Sequence, residues 1–331
     1  MTVPFLRWGL PIIVVAFAVA YRLQQPLNKA NSATHCYTGV RTHDSELPSA
    51  QCFSVVDGVF TAVWNKEVDD QLHNQTDGYV IPGLWDGHGH LLQYGEFLHS
   101  VDLFGAQTLD EVRSRIKKYL VDNPGAGSKD NWVRGVGWDQ TFYGRMPTAV
   151  SQLPIYHLMY WDNLTNLIQA DITEDPELKD IYLMLDRIDV HCTWVSQPVL
   201  DLLPSDLPET VPGGEIVREP GLGVFCDNAM DLVLSIWPKP GTDFKTRAVK
   251  TAMKRLNEVG LVGMHDAGAT PETLALYNEL SSDDDWSVRV YAMLECPQRN
   301  SYCPDEAVKF ARDDDRFAVQ SVKLFAGKSS P

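Results

Sequence analysis

The chain has 331 residues, 44% of them hydrophobic, and a formal net charge of −16. This length and hydrophobic share are enough for one large domain with a sizeable core and a small second one. The acidic balance, with no basic patch, argues against nucleic acid and against a strongly anionic surface as partners.

An apolar run near the N-terminus predicts a secretory segment. Residues 8–21 are apolar apart from one glycine and one proline, with Arg7 before them and Arg22 after them. The run of about 14 residues is shorter than the roughly 20 that a membrane span needs, so residues 1–30 are predicted to be a signal peptide or signal anchor with its linker. A buried N-terminal helix is the alternative. We expect a protein of the secretory pathway or one held in the membrane through residues 8–21.

Six cysteines are scattered along the chain, and none forms a CxxC pair. Their spacing argues against a thiolate zinc site or a redox motif. In an oxidising compartment Cys36 with Cys52, or Cys296 with Cys303, could form a disulfide. Buried free cysteines are an equally open interpretation.

Residues 50–63 alternate between apolar and polar side chains around Asp57-Gly58. This pattern predicts a β-hairpin with those two residues as its turn. The short apolar run 79–81 is also of strand type.

The residues most typical of a reactive centre follow that run. Pro82-Gly83 bends the chain before His88-Gly89-His90. Side chains two apart on an extended segment point the same way, so the two imidazoles can converge on one point. Two neutral imidazoles at one strand end suit Zn²⁺ or a similar divalent metal. The alternative is a pair of polar residues in a glycine-rich surface turn.

Strands and helices are predicted to alternate along the rest of the chain. Thr108 and Glu111 form a capping box that predicts a helix start. Thr270-Pro271 predicts a second one. The remaining predicted elements are strands at 131–138, 261–264, 288–294 and 317–325, a helix over 243–259 that Gly260 ends, and a helix near 305–312. This alternation supports an α/β fold with βα units.

The segment Val80-Ile-Pro-Gly-Leu-Trp-Asp-Gly-His-Gly-His90 resembles the opening signature of the metal-dependent amidohydrolase superfamily. Four later segments are similar to its amidohydrolase-3 branch, which includes N-substituted formamide deformylase-like proteins; they lie at 132–140, 189–196, 260–268 and 322–326. The resemblance implies a TIM-like (β/α)₈ barrel that carries a small β-sandwich made from both chain ends. Residues 31–80 would be part of that sandwich, and residues 81–331 an incomplete barrel.

The resemblance also implies roles for individual residues. His88, His90 and Lys323 would be metal ligands, with Lys323 carboxylated so that its carbamate oxygens bridge or bind one or two ions. Asp139 and His191 would contact the substrate, since barrel active sites lie at the C-terminal ends of strands. Without the resemblance, Lys323 is an ordinary strand lysine, Asp139 caps the next turn, and His191 is a core or surface histidine.

The reaction implied is hydrolysis of an amide or another non-peptide C–N bond of a small molecule, using a metal-activated water. In the family the remaining metal histidines and the catalytic aspartate follow the lysine strand, whereas this sequence has no histidine beyond His265. We therefore expect this exact chain to be inactive. One alternative is a non-catalytic, membrane-anchored binding or regulatory module. Another is an active enzyme with a different reaction, such as deamination or phosphoester hydrolysis.

Residues 150–169 interrupt the family pattern. Val150-Ser can be encoded by GTA-AGT, Leu164-Thr-Asn can hold the branch sequence CTAAC, and Gln169 can be encoded by CAG. We hypothesise that this segment is a translated intron, and that Gly327-Lys-Ser near the end is a read-through into another. An ordinary surface insertion is the alternative.

Overall fold

In a computed structural model of the chain, residues 31–66, 75–149, 171–172, 175–298, 302–307 and 309–324 are described. The predictions for 1–30, for 150–169 and for the residues after 324 lie outside these ranges. No helix within them is long and apolar enough to cross a membrane. The chain divides into two compact units, residues 1–83 and 84–331.

The first unit contains one four-stranded sheet in the order β3-β2-β1-β4. Its strands are β1 (Ser32–Arg41), β2 (Ser49–Val56), β3 (Val59–Trp64) and β4 (Thr76–Val80). The predicted hairpin is confirmed: Asp57 and Gly58 join β2 to β3 with φ values of 49° and 82°, as a type I′ turn requires. Cys36 and Cys52, which the sequence left open as a disulfide or as free cysteines, form a disulfide that links paired positions of β1 and β2.

The second unit alternates strands and helices over most of its length. In chain order its elements are β5 (Leu84–Gly89), α1 (Leu91–Leu98), β6 (Val101–Asp102), α2 (Leu109–Asp122), β7 (Val133–Trp138), α3 (Gln140–Tyr143), β8 (Leu183–Arg187), β9 (Cys192–Val195), α4 (Gln197–Leu200), β10 (Gly214–Val217), β11 (Val224–Asp227), α5 (Met230–Leu234), α6 (Thr242–Glu258), β12 (Leu261–Ala269), α7 (Pro271–Leu280), β13 (Arg289–Glu295), β14 (Phe310–Ala311) and β15 (Phe317–Lys323). The predicted helix starts are confirmed, with Thr108 capping α2 and Thr270 capping α7.

These strands form two sheets. The five-stranded sheet has the order β14-β15-β13-β12-β5, in which β5, β12, β13 and β15 are parallel. The six-stranded sheet has the order β10-β11-β9-β8-β7-β6, parallel from β6 to β8 and antiparallel beyond. The mixed α/β fold agrees with the prediction. Both sheets are open within the described ranges, so the closed barrel stays a prediction.

The helix predicted near 305–312 is wrong for the described residues there. Residues 304–306 form a turn, and Phe310–Ala311 is the short strand β14, antiparallel to β15. The disulfide between Cys296 and Cys303, which the sequence allows, holds this segment against the end of β13. Pairing with the sheet therefore overrides local helix propensity.

The described residues on either side of the predicted insertion are hydrogen-bonded to each other. The backbone N–H of Asp171 donates to the carbonyl oxygen of Thr148 at 3.1 Å, and the Asp171 carboxylate accepts from the backbone N–H of Thr148 at 2.9 Å. If residues 150–169 were absent, only Ala149 and Ala170 would separate these two residues. The existing hydrogen bond would then join positions i and i+3 of a β-turn.

Deleting residues 150–169 is therefore expected to leave the fold intact. The thermal unfolding midpoint should not fall. Closing a loop has an entropic cost that grows by about 0.6 kcal/mol with each doubling of loop length, so the shorter connection of the deleted chain has a smaller cost. The comparison is with the full chain and with a variant whose 150–169 segment is a Gly/Ser linker of equal length. A deleted chain that fails to fold while the linker variant folds would contradict a dispensable insertion.

Candidate functional site

β5 delivers the two histidines of the His-x-His motif. The strand is extended through Gly89, and His90 continues it with φ −139° and ψ 93° before α1 begins. The ring centroids of His88 and His90 lie 5.7 Å apart, with the ring planes at 83°. Both imidazoles thus stand at the C-terminal end of one parallel strand, where ligands bind in open α/β sheets.

Lys323 and Glu295 lie beside these histidines. They are paired across β15 and β13, at the same end of the sheet as His90. Gly268 lies close to the side chains of Lys323, Glu295 and His90. A Cβ on Gly268 would come within 2.9 Å of Oε2 of Glu295, 3.7 Å of Cγ of Lys323 and 3.8 Å of Cε1 of His90. Its φ of 148° also disfavours any other residue, so the glycine keeps this space open.

Asp266 is a buried carboxylate next to His90 that sequence reasoning did not select as a site residue. Its side chain is 2% exposed. Oδ2 accepts hydrogen bonds from the hydroxyl of Tyr277 at 2.8 Å and from the backbone N–H of Leu91 at 3.2 Å. Oδ1 is buried without a hydrogen-bond partner among the described atoms and lies 3.9 Å from Nδ1 of His90.

Asp266 and Tyr277 together cap α1. The N-cap residue His90 makes no side-chain cap, but the first two N–H groups of the helix donate to Asp266 and, at 2.9 Å, to the Tyr277 hydroxyl. The partial positive charge at a helix N-terminus stabilises a carboxylate. The pair therefore fixes the point at which the chain leaves His90, and holds α1 to β12 and α7.

Electrostatics at this end of the sheet favour a neutral His90. Burial lowers the pKa of His90, and the neighbouring charges of His88 and Lys323 lower it further, while Asp86 opposes them. A neutral imidazole is the form that binds a metal. Burial also raises the pKa of Asp266 to about 6, against the hydrogen bonds from Tyr277 and Leu91 and the nearby backbone N–H of Gly268. The pKa of Tyr277 is raised well above 10 by burial and by Asp266.

These residues supply part of a metal-binding donor set. Within the described ranges no group of three or more His, Cys, Asp or Glu side chains is placed to hold a metal ion. Two imidazoles converge, Lys323 lies beside them, and the buried Oδ1 of Asp266 lacks a partner. The chemistry of this set fits a divalent metal, with the remaining ligands to come from water, substrate or other protein groups.

His265 does not join this set. Adjacent residues on a strand point to opposite faces, so His265 lies away from Asp266. Its ring packs at 5.8 Å from the Trp85 ring and 5.0 Å from the Tyr291 ring.

Asp139 and His191 lie at one edge of the other sheet. Asp139 follows β7 and caps α3 by accepting hydrogen bonds from the backbone N–H and the hydroxyl of Thr141 at 2.9 and 2.7 Å. His191 precedes β9 and pairs with Asp227 at the end of β11. Arg187 ends β8, the strand between β7 and β9. Its pKa is raised by its hydrogen bonds to Asp189 and also by the charges of Asp227 and Asp139. The two predicted substrate residues therefore share one charged edge.

Comparison with known proteins places the chain in a family. The model of the amidohydrolase family Amidohydro_3 matches residues 71–330, so the chain belongs to that family. It is 28% identical over 264 residues to Protein LONG AFTER FAR-RED 3 of Arabidopsis thaliana, covering 76% of this chain and 40% of that protein. It is 26% identical over 208 residues to YtcJ of Bacillus subtilis, named as an amidohydrolase, covering 61% of this chain and 34% of YtcJ.

Two solved structures share the fold. They are uncharacterized metal-dependent hydrolases from Pyrococcus horikoshii and Pyrococcus furiosus, each with a TM-score of 0.57. The identities are 18% and 17%, and each match covers 88% of this chain and 54% or 56% of the other. The chain thus spans well under two thirds of the length of the relatives it matches.

Proposed function

We propose that the chain carries part of the centre of a metal-dependent hydrolase that cleaves small-molecule amides or other non-peptide C–N bonds. The observation that carries this proposal is the convergence of His88 and His90 beside Lys323 at the end of a parallel sheet, in a chain of the amidohydrolase family. The same site would hold one or two divalent ions, with Zn²⁺ favoured by its imidazole donors.

Each residue has a separate task in this proposal. His88 and His90 would bind the ion through neutral imidazoles, and Lys323 would bind it as a carbamate. Asp266 would orient His90, as carboxylates commonly do for metal-bound histidines. Asp139 and His191 would contact the substrate. A bound divalent metal would supply a water of lowered pKa and polarise the scissile carbonyl.

We further propose that this exact chain is inactive; within the described residues, no group of three or more His, Cys, Asp or Glu side chains is placed to hold an ion. Entry into the secretory pathway, or anchoring through residues 8–21, remains a proposal from the sequence. Three disulfides, which oxidising compartments favour, support it.

Zinc titration of the full chain tests the metal site. His88→Asn and His90→Asn are each expected to weaken Zn²⁺ binding at least tenfold, which is about 1.4 kcal/mol. His43→Asn is the matched control, because His43 is an exposed histidine of the first unit, between β1 and β2. If the unmodified chain binds no Zn²⁺, or if all three variants bind it equally, the proposed metal centre is wrong. Hydrolysis of small amides by the metal-loaded chain would contradict the expected inactivity.

A further inference from the structure

His191 and Asp227 face each other at the edge of the six-stranded sheet. Nδ1 of His191 lies 2.8 Å from Oδ1 of Asp227. The backbone N–H of Asp227 also donates to the His191 carbonyl oxygen at 2.8 Å. One residue further along, the disulfide between Cys192 and Cys226 links paired positions of β9 and β11. The two segments that carry the pair are therefore held together by a backbone hydrogen bond and a covalent bond.

Asp227 has a backbone conformation that few residues adopt. Its φ is 50°, in the left-handed region, where aspartate, asparagine and glycine are the commonest residues. Non-glycine residues in such conformations cluster at functional sites. At this position the conformation accompanies direct contact between the carboxylate and the imidazole.

Asp227 is the carboxylate that contacts the His191 ring. The neighbouring Asp189 binds the Arg187 guanidinium at 2.8 and 2.6 Å. From His191 it accepts a hydrogen bond from the backbone N–H, at 3.1 Å, and not from the ring. The other ring nitrogen of His191, Nε2, has no hydrogen-bond partner in the described part of the chain. With 68% of its side chain exposed, His191 can be reached by a ligand.

We propose that Asp227 is a positioning residue that fixes the tautomer of His191. A carboxylate can only accept, so of the two neutral tautomers of His191 it favours the one that carries its proton on Nδ1. Nε2 then presents a lone pair and accepts hydrogen bonds from a ligand N–H. The edge therefore recognises amides that retain an N–H group over fully N-substituted amides. This substrate class rests on the proposed amide-hydrolysing function; the tautomer assignment does not.

The tautomer is measured by ¹⁵N NMR of the full chain labelled at histidine. Asp227→Gly removes the carboxylate without strain, because glycine adopts a φ of 50° freely. A solvent-exposed hydrogen bond of this kind shifts the ratio of the two tautomers roughly fivefold. We therefore expect the ratio of the Nδ1–H form to the Nε2–H form of His191 to fall roughly fivefold in Asp227→Gly. Asp315→Gly is the matched control, since Asp315 has a φ of 55° and is exposed outside this edge. An unchanged tautomer ratio in Asp227→Gly would overturn the assignment.

Ligand class is tested with two probes, acetanilide and its N-methyl derivative. Acetanilide, which keeps its N–H, is expected to shift the Nε2 resonance of His191 at roughly fivefold lower concentration than the N-methyl derivative. This preference should disappear in Asp227→Gly. Equal binding of both probes to the unmodified chain would overturn the substrate preference.

The two proposals fail separately. NMR of the tautomer needs no metal, so an absence of zinc binding would remove the hydrolase centre and leave the role of Asp227 intact. Conversely, Asp227→Gly should bind Zn²⁺ as the unmodified chain does, because the residue lies outside the set formed by His88, His90 and Lys323. Normal zinc binding together with an unchanged tautomer ratio would overturn this inference alone.

Discussion

Replacing Gly95 by alanine is expected to destabilise the protein by about 2 kcal/mol, although alanine is the better helix former. Gly95 is buried on α1, where that helix packs against α6. A Cβ there would overlap the backbone carbonyl of Ala248 and lie 3.1 Å from its Cα. Overpacking of this kind costs up to about 3 kcal/mol, and the gain in helix propensity offsets about 1 kcal/mol of it.

The atoms that a Cβ on Gly95 would overlap belong to the backbone of α6, so the overlap can be removed only if α1 or α6 moves. α1 begins directly after His90, and its movement would displace that imidazole from His88. Denaturant unfolding of Gly95→Ala measures the stability loss, and zinc titration measures the displacement. Gln93→Ala, on the exposed side of the same helix, is the control and should change stability by less than about 0.5 kcal/mol. A Gly95→Ala protein that is more stable than the parent would mean that the helices are not in such close contact.

Much of the fold follows from local sequence signals. Asp57-Gly58 specifies its turn because both positions need positive φ, and Thr108 specifies a helix start because its hydroxyl accepts from the N–H of Glu111 at 3.1 Å. The His-x-His motif likewise predicts two imidazoles on one strand. In each case the determining contacts lie within a few residues of each other.

The contacts that sequence reasoning missed are long-range. Cys192 and Cys226 become partners only because β9 and β11 are neighbours, an arrangement that no spacing rule predicts. Asp266 is 176 positions after His90, so its contact with that imidazole cannot be read from local sequence. One signal was present: an acidic residue two positions after the apolar run 261–264, where a strand end is predicted. The burial of Asp266 and the two hydrogen bonds to its Oδ2 are seen only in the tertiary structure.

Replacing Asp266 by asparagine is expected to stabilise the metal-free protein by about 3 kcal/mol at pH 7.5 and to leave its stability nearly unchanged at pH 4. Burial raises the pKa of Asp266 from 3.8 to about 6. The folded state then binds more protons than the unfolded state between these pH values, so stability falls as pH rises through that window. About two pKa units at 1.36 kcal/mol each give the expected size.

Asparagine is nearly isosteric with aspartate and keeps an oxygen that can accept from Tyr277 and Leu91. The measurement is the free energy of unfolding of both proteins from pH 4 to pH 7.5 with a chelator present, because a bound cation would itself favour the ionised carboxylate. Asp122→Asn, exposed at the end of α2, is the control and should show no such trend. A difference between Asp266→Asn and the parent that is constant across this range would contradict the raised pKa. If the trend is found, the parent protein keeps a destabilising buried charge 3.9 Å from His90, a cost that an orienting role at a metal centre would explain.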